Sequence, residues 1–154
     1  MQSQLHQRDG YWYHRMAFQY SMSQAKVWEY LTKTEKLSSW FPELEASEKA
    51  WHFVMVDFRE DLPFLECLPE KKLAVQWDQA VVTFSLTEDG LVFQEKIPVS
   101  YQNEFADAIK DMVGWAVHME RLEALFNGES LPDFEPLIAK WEKYLRQESA
   151  KHVL

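Results

Sequence analysis

The sequence predicts an α+β fold in which a curved antiparallel sheet is wrapped around one long helix near the C-terminal end. Several short apolar runs between residues 51 and 97 have the alternation that is typical of strands. A long amphipathic segment then follows at residues 110–126. Because a helix rich in methionine and tryptophan follows the strands, we expect it to pack on the sheet, an arrangement that often leaves an apolar cavity. Its apolar face recurs at steps of three and four: Met112, Trp115, Met119, Leu122 and Phe126.

The N-terminal part is predicted to hold one strand and two short helices. Residues 11–20 alternate loosely between aromatic and polar side chains, as a first strand does. Ser21 and Gln24 have the spacing of a capping box, which predicts a helix with Ser21 as its N-cap. A second short helix is predicted to begin at Thr34 and to end before Pro42, because proline cannot continue a helix.

The central part is predicted to consist of strands. The last two should form a hairpin across residues 88–90, where we expect Gly90 to take the positive φ angle of a tight turn. The predicted strands span residues 51–58, 62–68, 73–77, 80–87 and 91–97.

The long helix is predicted over residues 103–126, and Gly128 should close it in the left-handed conformation. We expect Asp111, His118 and Arg121 to lie on its exposed side. A last amphipathic helix is predicted after Asp133. It covers either a partner or, as the favoured interpretation, its own sheet or long helix. Its apolar stripe consists of Phe134, Leu137, Trp141 and Leu145.

Length and composition indicate one domain. A chain of 154 residues, 47% of them hydrophobic, can bury roughly 68–70% of its unfolded surface. We expect residues 1–10 to be a flexible N-terminus, residues 11–128 to form the domain, and residues 129–154 to be a C-terminal extension of it. The first ten residues lack the apolar core of a signal peptide, and no stretch reaches the about 18 apolar residues of a membrane span.

The charge and the cysteine content indicate which binding partners and which cellular compartment to expect. With 16 basic and 25 acidic residues the formal charge is −9, which repels a phosphate backbone or an anionic membrane. Neither nucleic acid nor a membrane is therefore an expected partner. The single cysteine, Cys67, excludes an intrachain disulfide and fits a cytoplasmic location. Because no basic side chain adjoins it, we expect a buried structural thiol.

The order of elements and several short motifs together resemble the START-like (SRPBCC) superfamily. Within it, the chain is most similar to the family named for homologues of the activator of heat-shock protein 90 ATPase. The resemblance covers about residues 16–128 and implies a helix-grip fold. Residues 43–50 depart from the family pattern because they contain no glycine, and the helix after Asp133 is an addition. The matching motifs are Ala25–Trp28 with Leu31, Glu35–Leu37 leading to Trp40 and Phe41, Leu73–Trp77, Val82–Leu86, and Gly114–Trp115 with Leu122 and Leu125.

The sequence shows no metal, cofactor or catalytic motif. The five histidines lack the spacing of a zinc helix, and the four glycines are too scattered for a phosphate-binding loop. His52 lies in a predicted strand and faces either the sheet exterior, which is favoured, or a cavity. Four acids, Asp57, Glu66, Asp78 and Glu95, lie in or beside strands, and exposure is the favoured interpretation. Glu95 shares the strand parity of Leu91, Phe93 and Ile97, so an inward position would make it a general acid or base.

The aromatic residues and methionines either fill the core or line a ligand cavity. The leading hypothesis is a non-enzymatic protein that binds a small hydrophobic or aromatic molecule. The resemblance implies an alternative, a module of the stress response that stimulates a chaperone ATPase, and a third, an enzyme like the cyclases or aromatases of the superfamily. The predicted cavity residues are Trp28, Trp40, Met55, Trp77, Phe84, Glu95, Met112, Trp115 and Met119.

Overall fold

The computed structural model describes residues 1–152, which form eight β-strands and four α-helices. The strands are β1 (Gln2–Arg8), β2 (Tyr11–Gln19), β3 (Leu44–Ala46), β4 (Ala50–Met55), β5 (Phe58–Leu68), β6 (Lys72–Trp77), β7 (Ala80–Leu86) and β8 (Gly90–Pro98). The helices are α1 (Gln24–Thr32), α2 (Thr34–Leu37), α3 (Ala108–Phe126) and α4 (Phe134–Ala150).

All eight strands belong to one antiparallel sheet in the order β1-β2-β8-β7-β6-β5-β4-β3. A register shift between Phe64 and Glu66 bends β5, as such irregularities do. The long helix α3 packs on one face of the curved sheet, and α1 and α2 follow the second strand. This arrangement confirms the predicted α+β helix-grip fold.

The predicted inner face of α3 is confirmed. Its five apolar residues between Met112 and Phe126 are at most 2% exposed. The helix begins at Ala108 rather than at residue 103, because Asp107 is the N-cap and accepts a hydrogen bond from the Lys110 amide at 2.9 Å. Gly128 has φ +71°, which confirms the predicted left-handed closure.

Two local predictions were wrong. Ser23, not Ser21, caps α1, and its side chain accepts from the Lys26 amide at 3.2 Å. Ser21 instead donates to the Phe126 carbonyl at 3.3 Å, which ties α1 to the end of α3. Gly90 does not take a positive φ angle. The Thr87 hydroxyl organises this turn instead, because it accepts from the Gly90 amide at 3.1 Å.

The N-terminal segment, expected to be flexible, is the edge strand β1. It pairs with β2 along its whole length, yet Leu5 is its one buried residue. Because β1 is held by backbone pairing and buries only one side chain, its sequence does not need the period-two apolar pattern that marks other strands. The strand predicted at residues 51–58 is likewise divided by a turn at Val56 and Asp57, and β3 was not predicted.

The last helix packs on its own domain, which was the favoured interpretation. The Trp141 indole donates to Glu120 Oε1 on α3 at 3.0 Å, and the Tyr144 hydroxyl donates to the Ser3 carbonyl on β1 at 3.2 Å. Leu137, Trp141 and Leu145 are buried, whereas Phe134 is 44% exposed. Among residues 1–152, no helix is both long and apolar enough to cross a membrane.

Candidate functional site

The layer between the sheet and α3 is filled with side chains. Trp115, which is 2% exposed, lies at its centre, with its ring centroid 4.9 Å from that of Trp77 and 5.4 Å from that of Phe93. Phe84 and Trp51 complete this packing at 6.1 and 6.3 Å. The part of this layer around Trp115 is therefore occupied by aromatic rings, and a cleft opens at its edge.

The cleft has a volume of about 150 Å³ and lies between α3, the end of β6 and the segment after α2. Of the nine predicted cavity residues, Trp77 and Trp115 line it. The other seven lie elsewhere: Phe84, Met112, Met119 and Trp40 are buried in the core, Glu95 is fully buried on β8, Trp28 is half-buried on α1, and Met55 is 56% exposed at the end of β4. The cleft is lined by Phe41, Trp77, Ala106, Lys110, Asp111, Gly114, Trp115 and His118.

His118 contributes an aromatic wall to the cleft, although it was expected on the exposed side of α3. Its ring stacks on Phe41, with centroids 4.2 Å apart and planes at 18°. Burial, together with the nearby charge of Arg121, lowers the pKa of His118 to about 4. His118 is therefore neutral at neutral pH. The prediction was wrong because the segment after α2 folds over this side of the helix.

A buried carboxyl pair lies beside the cleft. Glu95 on β8 is 0% exposed, and its carboxyl faces that of Asp111 on α3, which lines the cleft. Among the described residues, neither Glu95 oxygen nor Asp111 Oδ2 has a hydrogen-bond donor. Two carboxyl groups can bond each other only if one carries a proton. Asp111 is half-buried with its Oδ2 atom inaccessible to solvent, so the exposed position expected for it was wrong.

The surroundings favour a proton on this pair. Burial raises the pKa of Glu95 well above its ordinary value, and the charge of Asp111 raises that pKa further. Burial also raises the pKa of Asp111. Glu95 is buried, so the favoured exposed position was wrong for this acid, and the inward alternative from strand parity is what the structure shows.

A second polar group borders the carboxyl pair on its outer side. The Tyr101 hydroxyl donates to Asp78 Oδ2 at 2.8 Å and accepts from the Asn103 amide at 2.7 Å. Burial raises the pKa of Tyr101, as does its hydrogen bond to Asp78. This tyrosine was not predicted, and its sequence context carries no signal for it.

On the inner side, His14 extends these groups into a polar row that consists of Tyr101, Asp111, Glu95 and His14. It lies directly opposite Glu95 in the β2–β8 register and is 0% exposed. Its Nε2 is 2.9 Å from Ser3 Oγ, and its Nδ1 has no partner in the described chain. Burial lowers the pKa of His14 to about 4. Strand parity with Trp12 and Met16 is the signal that would have found it.

The remaining sequence candidates lie outside the cleft. Asp57 and Glu66 are exposed, and Asp78 is an exposed turn residue. His52 bonds Asp61 at 2.7 Å on the sheet surface. Cys67 is exposed, so the expected buried thiol was wrong; β5 is solvated on both faces at its end. No cluster of three potential metal-binding side chains occurs within residues 1–152.

A wider, more polar pocket of about 460 Å³ lies where α3, α4 and β1 meet. Because Ser3 lines this pocket and bonds His14, the polar row extends from here toward the cleft. The pocket is lined by Met1, Ser3, Glu120, Glu123, Lys140, Trp141 and Tyr144.

The fold and sequence together match one protein family. The model of the activator of Hsp90 ATPase homolog 1-like proteins matches residues 21–127, which is well over half of the chain. The chain belongs to this family. The match ends at the close of α3, so α4 lies beyond it.

Solved structures share the fold of this chain. A conserved protein of unknown function from Enterococcus faecalis is 30% identical, with a TM-score of 0.80 over 95% of this chain and 91% of that one. CalU16 from Micromonospora echinospora shares the fold at 15% identity, with a TM-score of 0.68 over 96% of each chain. The Aha1 dimer from Colwellia psychrerythraea shares it at 16% identity, with a TM-score of 0.54 over 73% of this chain and 94% of that one. A comparison with curated proteins found no match to this chain.

Proposed function

We propose that this protein binds a small, single-ring aromatic or apolar molecule in the cleft and does so without chemical turnover. The observation that carries the proposal is the cleft itself, whose walls are the rings of Phe41, Trp77, Trp115 and His118. An apolar cavity of about 150 Å³ accommodates a benzene-sized molecule. We therefore expect single-ring compounds to fit this cleft better than lipids or flavonoids.

The packing around the cleft supports a preformed site. Trp77 and Trp115 are held edge to face by the filled core, and His118 is held by stacking on Phe41. Such fixed aromatic walls lose little conformational entropy when a ligand binds. Both tryptophans should report occupancy through their fluorescence.

Gly114 provides a direct test of the cleft. It lies on the cleft wall, and a Cβ atom placed there would meet no heavy atom within 4 Å. Gly114→Leu should therefore fill the cleft without disturbing the core, whereas Gly114→Ala is the matched control with little added volume. In a thermal-shift and fluorescence screen of single-ring compounds, hits should stabilise wild type and Gly114→Ala but not Gly114→Leu. Hits that bind Gly114→Leu equally well would refute this location.

A second function, stimulation of a chaperone ATPase, is favoured by one surface feature besides the family. The tip of the β4–β5 hairpin exposes three apolar side chains: Met55 is 56% exposed, Val56 99% and Phe58 53%. Exposed apolar clusters of this kind mark protein-interaction sites. This function would place the protein in a cytoplasmic stress response.

The hairpin tip can be tested separately from the cleft. Stimulation of an Hsp90-type ATPase should be lost in the double variant Val56→Ser, Phe58→Ser. Phe105→Ser is the matched control, because Phe105 is 83% exposed elsewhere. Absence of stimulation by wild type, together with ligand binding in the cleft, would leave the first function alone.

A further inference from the structure

The buried carboxyl pair is not explained by the binding of an apolar ring. Glu95 is entirely buried and its two oxygens lack donors, although buried carboxyl oxygens are normally hydrogen-bonded. Its one polar neighbour on the cleft side is Asp111, whose Oδ2 also lacks a donor. Asp111 lines the end of the aromatic cleft, and the fully buried carboxyl of Glu95 lies behind it.

We propose that the cleft takes a ring bearing a protonated amine, with the ammonium group bonded to Asp111 and the ring held by Trp77 and Phe41. This inference rests on the proposed function and names the ligand class for the same site. An ammonium group supplies three N–H donors and no acceptor, which is what the carboxyl pair lacks. Aromatic side chains within about 6 Å of a cation also attract it through their faces.

The charges around the pair are consistent with a cation. His14, which faces Glu95 from β2, is neutral because burial lowers its pKa to about 4. Tyr101 and Asp78 add no positive charge on the outer side. Lys110, on the same helix, lines the cleft but is exposed, so its ammonium can stay in water. The formal charge of −9 draws cations toward the protein as a whole.

Amine binding should expel the proton of the pair. Burial raises the pKa of both Glu95 and Asp111, which favours a proton on one of the two carboxyls in the empty protein. A bound ammonium favours the ionised form of both carboxyls, so that one proton passes from the pair to the buffer as the ammonium enters. The amine keeps its own proton throughout, and no covalent bond to carbon changes.

Calorimetric titration with benzylamine and benzyl alcohol tests this inference, because the two compounds share a ring and differ in charge. Benzylamine should bind wild type at least about tenfold more tightly. Its binding heat should vary with the ionisation enthalpy of the buffer, which indicates the release of up to one proton. Benzyl alcohol should show no such buffer dependence.

Single-residue variants identify the side chains that are responsible for the preference for benzylamine. Asp111→Asn and Glu95→Gln should lose the preference for benzylamine and retain benzyl alcohol, whereas Asp57→Asn, at an exposed acid, should behave as wild type. Equal affinity of wild type for the two compounds would overturn the ammonium site while leaving the proposed function intact. Binding of neither compound would overturn both. If a variant fails to fold, the comparison of the two compounds on wild type still decides.

Discussion

Replacement of Trp115 by alanine should destabilise the protein by about 3–5 kcal/mol. Trp115 is 2% exposed, and five core rings have centroids within 6.3 Å of its own: those of Phe41, Trp51, Trp77, Phe84 and Phe93. Alanine would leave a cavity at this point, because neighbouring side chains on both the sheet and α3 are held by their own packing. A loss of this size is a large part of the 5–15 kcal/mol that stabilises an ordinary domain.

Urea denaturation followed by circular dichroism at 222 nm measures this loss without relying on the fluorescence of the deleted residue. Phe105→Ala is the matched control, since Phe105 is 83% exposed and its loss should change the free energy of unfolding by less than about 0.5 kcal/mol. A loss below about 1 kcal/mol for Trp115→Ala would show that this face of α3 is not the core face.

Three further predictions concern local features. Burial lowers the pKa of His14 from 6.5 to about 4. The neutral buried imidazole therefore contributes stability that is fully present above pH 6.5 and is lost as the pH falls toward 4, a change of about 3 kcal/mol in the free energy of unfolding. Urea melts at a series of pH values should show this change in wild type and not in His14→Gln. Ser23→Ala should cost about 1 kcal/mol in thermal melts as an N-cap, with Ser21→Ala as the comparison; equal losses would contradict the cap assignment. Gly128→Ala should destabilise by about 1 kcal/mol because φ is +71°, whereas Gly114→Ala, in an open helical position, should stabilise by up to about 1 kcal/mol.

The sequence predicted the elements that carry a periodic apolar pattern. The inner face of α3 and the hairpin of β7 and β8 were found because one side of each is buried and the other is not. β1 was missed because Leu5 alone is buried, and the turn at Val56 was missed because both flanking segments are apolar. These features depend on which segments pair with each other in the sheet, and the pattern within one segment does not reveal its partner.

The candidate site was predicted in part. Trp77 and Trp115 were among the predicted cavity residues. The alternation along its strand indicated that Glu95 could point inward, although exposure was favoured. Asp111 and His118 were placed on the exposed side of α3 because helical periodicity alone marks their side as polar. Segments distant in sequence cover that side, so its burial depends on the tertiary fold.

The central claim is that the cleft beside Trp115 binds a small ring. The most direct measurement is a ¹H–¹⁵N NMR titration of the whole chain with benzylamine, followed at the indole and backbone amides. Saturable shifts should appear at the indoles of Trp77 and Trp115 and at the Gly114 amide, and they should vanish in Gly114→Leu. Shifts confined to Trp141 in the wider pocket, or no saturable shifts at all, would contradict the account.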